Sequence, residues 1–193
     1  DVFKQEAIED ATDQVIWSVD QGEPIEPRRP QDLTFVGNIV QAILAFARGD
    51  LPGHKRLRLE DVDRIIAIGS DRMMAAVAEA RRTVLQPFLK ERHVAIASIN
   101  SLMQCMMKEV CGQCLQKHLD PETKNETEPV FSCFNQDQLM DCVDFVNLRQ
   151  RLRANSLPEK LTNRFLDCLM RPAEAAAATP SRQTCESNSP PPK

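Results

Sequence analysis

The sequence predicts an α/β fold: a partial parallel sheet with flanking helices, then a cysteine-rich loop, a hairpin and C-terminal helices. Three observations predict it. Asp63-Arg64-Ile65-Ile66-Ala67-Ile68-Gly69 and His93-Val94-Ala95-Ile96-Ala97-Ser98-Ile99 are short continuous apolar runs, the pattern of parallel strands buried on both faces. Between them Met73, Met74, Val77, Val84 and Phe88 face inward on a helix that Ser70 or Asp71 caps and that runs to Phe88. The second strand then leads directly into Cys105, Cys111, Cys114 and Cys133, spaced C-x5-C-x2-C-x18-C. Strand, helix and strand at these lengths make a right-handed α/β unit.

The remaining elements follow in order. Val2, Phe3, Ala7, Ile8 and Ala11 fall at helical spacing and predict a first helix. Val15-Ile16-Trp17-Ser18-Val19 reads as a short strand ended by Asp20-Gln21-Gly22. Pro24, Pro27 and Pro30 make the stretch from Glu23 to Asp32 a loop. Phe35, Val36, Ile39, Val40, Ile43, Leu44 and Ala47 then repeat at i, i+3, i+4 and i+7, an amphipathic helix that Thr34 or Asp32 caps and Gly49 closes. A polar loop through Pro52, Gly53 and His54 leads to the first buried strand.

Beyond the cysteine loop, Leu115 to Leu119 and Val130 to Phe134 predict a hairpin with a mobile polar tip from Asp120 to Pro129. The hairpin returns Cys133 to the other three thiols. Asp144 caps a helix with Phe145, Leu148 and Leu152 inward and Arg149, Arg151 and Arg153 on a solvated face. Ser156 and Glu159 form a capping-box pattern around Pro158, and the helix that follows holds Leu161, Phe165, Leu166 and Leu169. From Arg171 the chain is rich in Ala, Ser and Pro without periodicity, which predicts a disordered tail over 171–193.

At 193 residues there is room for one domain with an appendage. A net charge of −4 argues against nucleic acid as a partner, and eight Phe, one Trp and no Tyr make a base-stacking platform a poor fit. No apolar run approaches the ~20 residues of a membrane span. Seven cysteines without a secretory leader fit a reducing cytoplasm. The chain opens at Asp1 on residues that read as mid-domain helix, so a fragment of a larger protein is expected.

The cysteines carry the chemistry. Three thiols in a short loop, with a fourth returned from a distance, suit a four-thiolate metal site, and soft thiolates select zinc or iron–sulfur clusters. Buried apolar thiols, a thioredoxin-like Cys111-Gly112-Gln113-Cys114 pair and structural zinc are the competing readings. Zinc knuckles usually repeat CxxC, whereas Cys105 and Cys133 stand alone, so the spacing favours a two-iron cluster. Gly112 would let the backbone pass the metal without a Cβ clash and turn amides toward sulfur. Cys142, Cys168 and Cys185 read as plain thiols. His54, His93 and His118 share no pattern, although His118 is near enough to Cys114 in sequence to replace a thiolate. In open α/β sheets ligands collect beyond the carboxyl ends of strands. The Gly69-Ser70-Asp71 turn and the cysteine loop therefore belong on one edge, a nucleotide pocket beside a redox centre. That turn suits a phosphate or a nicotinamide edge, or serves as a plain helix cap.

Three segments together resemble one family. They are Ala67-Ile68-Gly69-Ser70-Asp71-Arg72-Met73-Met74, then Ser98-Ile99-Asn100-Ser101-Leu102-Met103-Gln104-Cys105 with Cys111-Gly112-Gln113-Cys114, and Val130-Phe131-Ser132-Cys133-Phe134 leading to Val143-Asp144-Phe145. They look like the C-terminal part of ferredoxin-NADP-reductase-like electron-transfer subunits, of the dihydroorotate dehydrogenase and NADH-dependent ferredoxin:NADP oxidoreductase small-subunit type. The resemblance implies a partial NAD(P)-binding domain over 1–100, an iron–sulfur loop and hairpin over 101–143, and C-terminal helices over 144–170. It implies a [2Fe–2S] cluster on Cys105, Cys111, Cys114 and Cys133, with Gly69, Ser70, Asp71, Met73 and Met74 beside the nicotinamide. Electrons would pass from NAD(P)H through FAD to the cluster and on to a partner oxidoreductase. The flavin barrel and first glycine-rich turn of the family are not in this chain, so FAD would sit on an upstream domain or subunit. The first cysteine gap is one residue longer than the family's, the hairpin tip is extended, and Ser-Asp-Arg replaces its Pro-rich turn. The reading from another class is a zinc-stabilised interaction module without turnover.

Overall fold

A computed structural model describes residues 2–53, 57–100 and 105–170. His54, Ser101 to Gln104, Cys185 and the tail over 171–193 lie outside the described residues. The chain is a mixed α/β protein with three small sheets among the described residues, and its contacts divide it into one unit to Asn155 and a second from Ser156.

Helix α1 (Gln5–Asp10) forms as expected, but the apolar residues do not anchor it. Phe3 and Ile8 face solvent, while Glu9 is buried and its carbonyl accepts a hydrogen bond from Arg29. Arg29 also grips Asp32, with Nε 2.7 Å from Oδ2, and the Asp32 carboxylate takes the Val15 N–H at 2.8 Å. A side chain that satisfies two local donors outweighs one isolated hydrophobe on a six-residue helix and another just before it.

Strand β1 (Ile16–Val19) pairs in parallel with β2 (Leu33–Val36), in register Ile16 with Leu33 and Val19 with Val36. β2 corrects the expectation of a helix beginning near Phe35. The helix, α2 (Ile39–Arg48), begins after a break at Gly37, and Asn38 rather than Thr34 or Asp32 caps it. Asn38 accepts the Gln41 N–H and the Gln41 side chain returns to the Asn38 N–H, a reciprocal box. Gly49, at φ 89°, closes it as expected. Leu33, Phe46 and Leu51 form the small core beneath.

The Arg29 guanidinium, by its hydrogen bond, holds the Asp32 carboxyl below its usual range, with the Val15 N–H adding to the effect and burial opposing it. The folded value is depressed, so this contribution to stability is complete above the unfolded value of about 3.9. It is lost as pH falls through the lower folded value. Asp32→Asn should therefore lower the denaturation midpoint at pH 7 and flatten the loss of stability below about pH 4, read by urea titrations at stepped pH. An acid limb identical to that of the parent chain would contradict this role.

The second sheet positions the site. Strand β3 (Arg64–Ile68) pairs in parallel with β4 (Val94–Ser98), Arg64 opposite Val94, as the apolar runs predict. Strand β7 (Asp137–Leu139) adds antiparallel to the other edge of β4. Helix α3 (Asp71–Arg82) connects β3 to β4. It ends at Arg82 rather than Phe88, with a short 3-10 turn over Gln86–Phe88 around Pro87, and Val84 lies outward. Ala67, Ala95, Ala97 and Ile99 are buried beneath Met74, Val77 and Ala78 of α3 and Leu148 of the later helix. The expectation that β3 is covered on both faces does not hold: Ile66 and Ile68 are 55% and 70% exposed, and Leu139, in the same row as Ile66 and Ile96, is 56% exposed.

A part-buried polar clamp fastens the far end of α3. Arg81 donates from Nε to His93 Nε2 at 2.9 Å and reaches both oxygens of Asp141 at 3.1 and 3.4 Å. His93 Nδ1 lies 2.7 Å from the Lys90 carbonyl. His93 is therefore the neutral tautomer with its proton on Nδ1, leaving Nε2 free to accept.

The hairpin is shorter than expected: β5 (Leu115–Gln116) pairs antiparallel with β6 (Val130–Phe131). Its tip is fastened instead of loose, because Asp120 Oδ1 accepts the N–H groups of Glu122 and Thr123 at 3.0 and 2.7 Å. Asp144 caps α4 (Phe145–Asn155) as expected, accepting from Val146 and Asn147. In the second unit, α5 (Leu157–Met170) carries Leu161, Phe165, Leu166 and Leu169, all exposed. Among the described residues no helix is long and apolar enough to cross a membrane.

Candidate functional site

Beyond the carboxyl end of β4 the chain curls back on itself between Cys105 and Cys114. Met106, Met107 and Glu109 stand at φ 53°, 62° and 55°, and Gly112 at 67°. Non-glycine residues in this left-handed region cost of order 1 kcal/mol each, and such strain collects at sites where the backbone has a task. The backbone N–H groups of Cys111, Val110 and Lys108 act on the Cys105 thiol, and that of Glu109 on Cys133, each lowering its pKa.

The sulfurs themselves form a connected series. Cys111 hydrogen-bonds Cys105, Cys105 and Cys133 interact electrostatically, and Cys133 hydrogen-bonds Cys114. The Cys111 and Val110 amides, with the other donors, pull the Cys105 thiol down to about 6 against the opposing effect of burial. Cys133 moves the other way, up to about 11, because it donates to Cys114, is buried, and faces the Cys114 and Cys105 thiols. Cys114 and Cys133 are buried, Cys105 is half-buried and Cys111 is exposed. β5 and β6 accomplish the return of Cys133: the Ser132 N–H and hydroxyl both donate to the Cys114 carbonyl at 3.1 Å.

The four expected ligands are related only in pairs: among the described residues no group of three or more His, Cys, Asp or Glu side chains is drawn into metal-holding geometry. All six described cysteines are free thiols. Cys142 stands among other groups, its thiol pushed up by burial and by Asp141 and Asp120, and Cys168 is exposed on α5. His118 Nε2 lies 2.6 Å from Gln138 Oε1, which ties the ring to β7. Gly112 suits its left-handed φ and is not needed for space, because a Cβ there would meet no atom within 4 Å.

One residue of the site escaped the sequence. Arg151, expected on a solvated helix face, is half-buried and donates from Nη2 to the Gly112 carbonyl. Arg149, its side chain 38% exposed, pairs with Asp71 at 2.8 Å. A helical wheel gives the direction of a side chain but not what the chain has folded against that direction.

The turn after β3 divides the other candidate residues. Ser70 caps α3, accepting the Met73 N–H at 3.2 Å. Gly69, at φ 156°, lies where a Cβ would come within 2.5 Å of the Met73 methyl, so the turn and Met73 fit closely. Ser70 and Met73 line a cavity of about 960 Å³ between α3 and the β1–α2 segment, together with Trp17, Asn38 and Arg72. Trp17 Nε1 is buried with no partner among the described residues. Asp71 instead pairs with Arg149, and Met74, 1% exposed, is core.

Fold and site together define a mixed α/β protein with a four-cysteine loop at the sheet edge. No family model matches the chain. Over 112 residues it is 38% identical to an uncharacterized protein of Rickettsia prowazekii (strain Madrid E). That stretch is 58% of this chain but spans only 14% of the relative's length.

Proposed function

We propose that the chain is the electron-transfer part of an NAD(P)H-dependent flavin and iron–sulfur oxidoreductase of ferredoxin-reductase type, with Cys105, Cys111, Cys114 and Cys133 as the ligands of a [2Fe–2S] cluster. The observation that carries this reading is the linked series of four sulfurs with backbone amides turned onto two of them. Thiolates with amide donors are the donor set such a cluster takes, and those hydrogen bonds help set its potential. When bound, the cluster would supply one-electron transfer. The chain's own contribution is placement: the β5–β6 pairing returns Cys133, burial of Cys114 and Cys133 excludes water, and the left-handed loop directs its N–H groups inward.

The cavity beside Ser70 and Met73 is of a size usual for cofactor sites, and we assign it to the nicotinamide end of NAD(P)H. FAD would belong to an upstream domain or subunit, and the onward acceptor to a partner oxidoreductase. Anaerobic purification tests the reading. A brown chain with two iron and two sulfide per polypeptide, bleached by dithionite, is expected from a [2Fe–2S] centre. A colourless chain with stoichiometric zinc would replace it with a zinc-stabilised interaction module.

A further inference from the structure

We propose that the hollow at the carboxyl end of α3 is a binding site for a small phosphate-bearing anion, held by Arg82, Lys124 and a fixed Arg81. It lies toward the amino end of β4, whereas the cysteine loop and the cavity beside Ser70 lie past the carboxyl ends of β4 and β3. The inference therefore does not depend on the iron–sulfur reading of the thiols.

The hollow has a volume of about 530 Å³, within the roughly 300–1,000 Å³ usual for small-molecule sites. Its charged lining comes from several parts of the chain. Arg81 and Arg82 are the last two residues of α3, Lys90 and Glu91 stand shortly before β4, and Asp141 follows β7. Lys124 comes from the β5–β6 tip, which the Asp120 carboxylate fastens.

These charges do not cancel. Arg81 and Arg82 share one carboxylate, Asp141, at 3.1 and 2.6 Å, so one guanidinium is left over. Lys90 spends its charge on Asp63, outside the lining. Lys124 acts on Asp120 only at longer range, and among the described residues neither Lys124 nor Glu91 has an ion-pair partner. The carboxyl end of α3 adds about half a negative charge. With Glu91 and that half charge set against the spare guanidinium and Lys124, the balance stays positive. A concavity of this sign runs against the net charge of −4 on the chain, and low-dielectric walls focus its field. Two arginines in a last turn would complement the helix dipole by themselves, but that does not account for Lys124, brought to the same hollow from a distant part of the sequence.

The deepest cation is held in advance. Arg81 is 7% exposed, with Nε donating to His93 and both Nη atoms to Asp141, which fixes the guanidinium before any ligand arrives. Arg82 and Lys124 are exposed and free to close on one. Guanidinium forks match phosphate oxygens, and such charge-assisted bonds are the strong ones. A planar carboxylate satisfies forks lying in its own plane, the part Asp141 already plays. A tetrahedral phosphate offers oxygens in several directions, which suits cations arriving from α3 and from the hairpin tip.

The test is isothermal titration calorimetry of the full chain at physiological ionic strength, with inorganic pyrophosphate as the probe and succinate as the carboxylate comparison. The parent chain should bind one pyrophosphate saturably, and succinate about tenfold more weakly. Arg82→Gln and Lys124→Gln should each weaken pyrophosphate binding about fivefold, the worth of one exposed charge contact. Lys117→Gln, which removes an exposed lysine paired with Glu126 outside the hollow, should leave binding unchanged. No saturable binding by the parent, equal binding of succinate, or an equal loss in Lys117→Gln overturns the assignment. So does unchanged binding in either Arg82→Gln or Lys124→Gln. Should Arg82→Gln fail to fold, Lys124→Gln on the hairpin tip decides alone.

Discussion

Cys111→Ser is expected to abolish the visible absorption of the anaerobically purified chain, while Cys168→Ser leaves it unchanged. Cys111 occupies two positions in the linked series: its amide and its thiol both meet Cys105. Serine keeps the amide but replaces a soft thiolate with a hydroxyl that stays protonated, and iron–sulfur centres are held through thiolate. The site would lose one of four ligands, and the one nearest solvent. Cys168 lies on α5, exposed and in the other unit of the chain. Iron content and the absorption spectrum of the two variants decide the matter. Equal loss from both would mean that these four sulfurs are not the ligand set.

Met74→Ala should destabilise the chain by about 3 kcal/mol, the middle of the range for truncating a buried Met. For a unit of this size that corresponds to a melting temperature lower by roughly 6–12 °C. Met74 is 1% exposed and packs with Val77, Ala78, Ala95 and Ala97, where small alanine side chains leave α3 close to the strands and little room for a cavity to collapse. Met74→Leu conserves volume and should cost less than about 1.5 kcal/mol. The pair separates two roles for the Met73-Met74 dipeptide. If Met74 faced a cofactor, Leu and Ala would differ in binding more than in melting temperature. An unchanged melting temperature for Met74→Ala would refute its place in the core.

The α/β alternation was legible because its strands are continuous apolar runs and the capping serine of α3 follows a glycine. The four neighbouring cysteines were legible because their spacing survives any uncertainty in the elements between them. Other features were hidden for physical reasons. β2 was concealed because Phe35 and Val36 extend the helical period of α2 backward, and only the break at Gly37 and Asn38 separates them. β7 is three residues long and two are polar, so its strand character comes from the free edge of β4 and not from its own side chains. Glu9 and Arg29 read as surface charges until the loop that joins them is folded. The site shows the same division. The sulfurs announce themselves, whereas Arg151 acquires its role only once α4 lies against the loop.

Parallel strands normally have helices on both sides. Here α3 and α4 pack with the Ala67, Ala95 and Ala97 side of the strands, and Ile66, Ile68 and Leu139 present a greasy stripe to water on the other. Uncovered apolar surface of this kind marks either a mating surface or an aggregation liability. Its consequence concerns handling rather than chemistry: a polar substitution at Ile68, 70% exposed, should leave the fold intact and make the isolated chain less prone to aggregate.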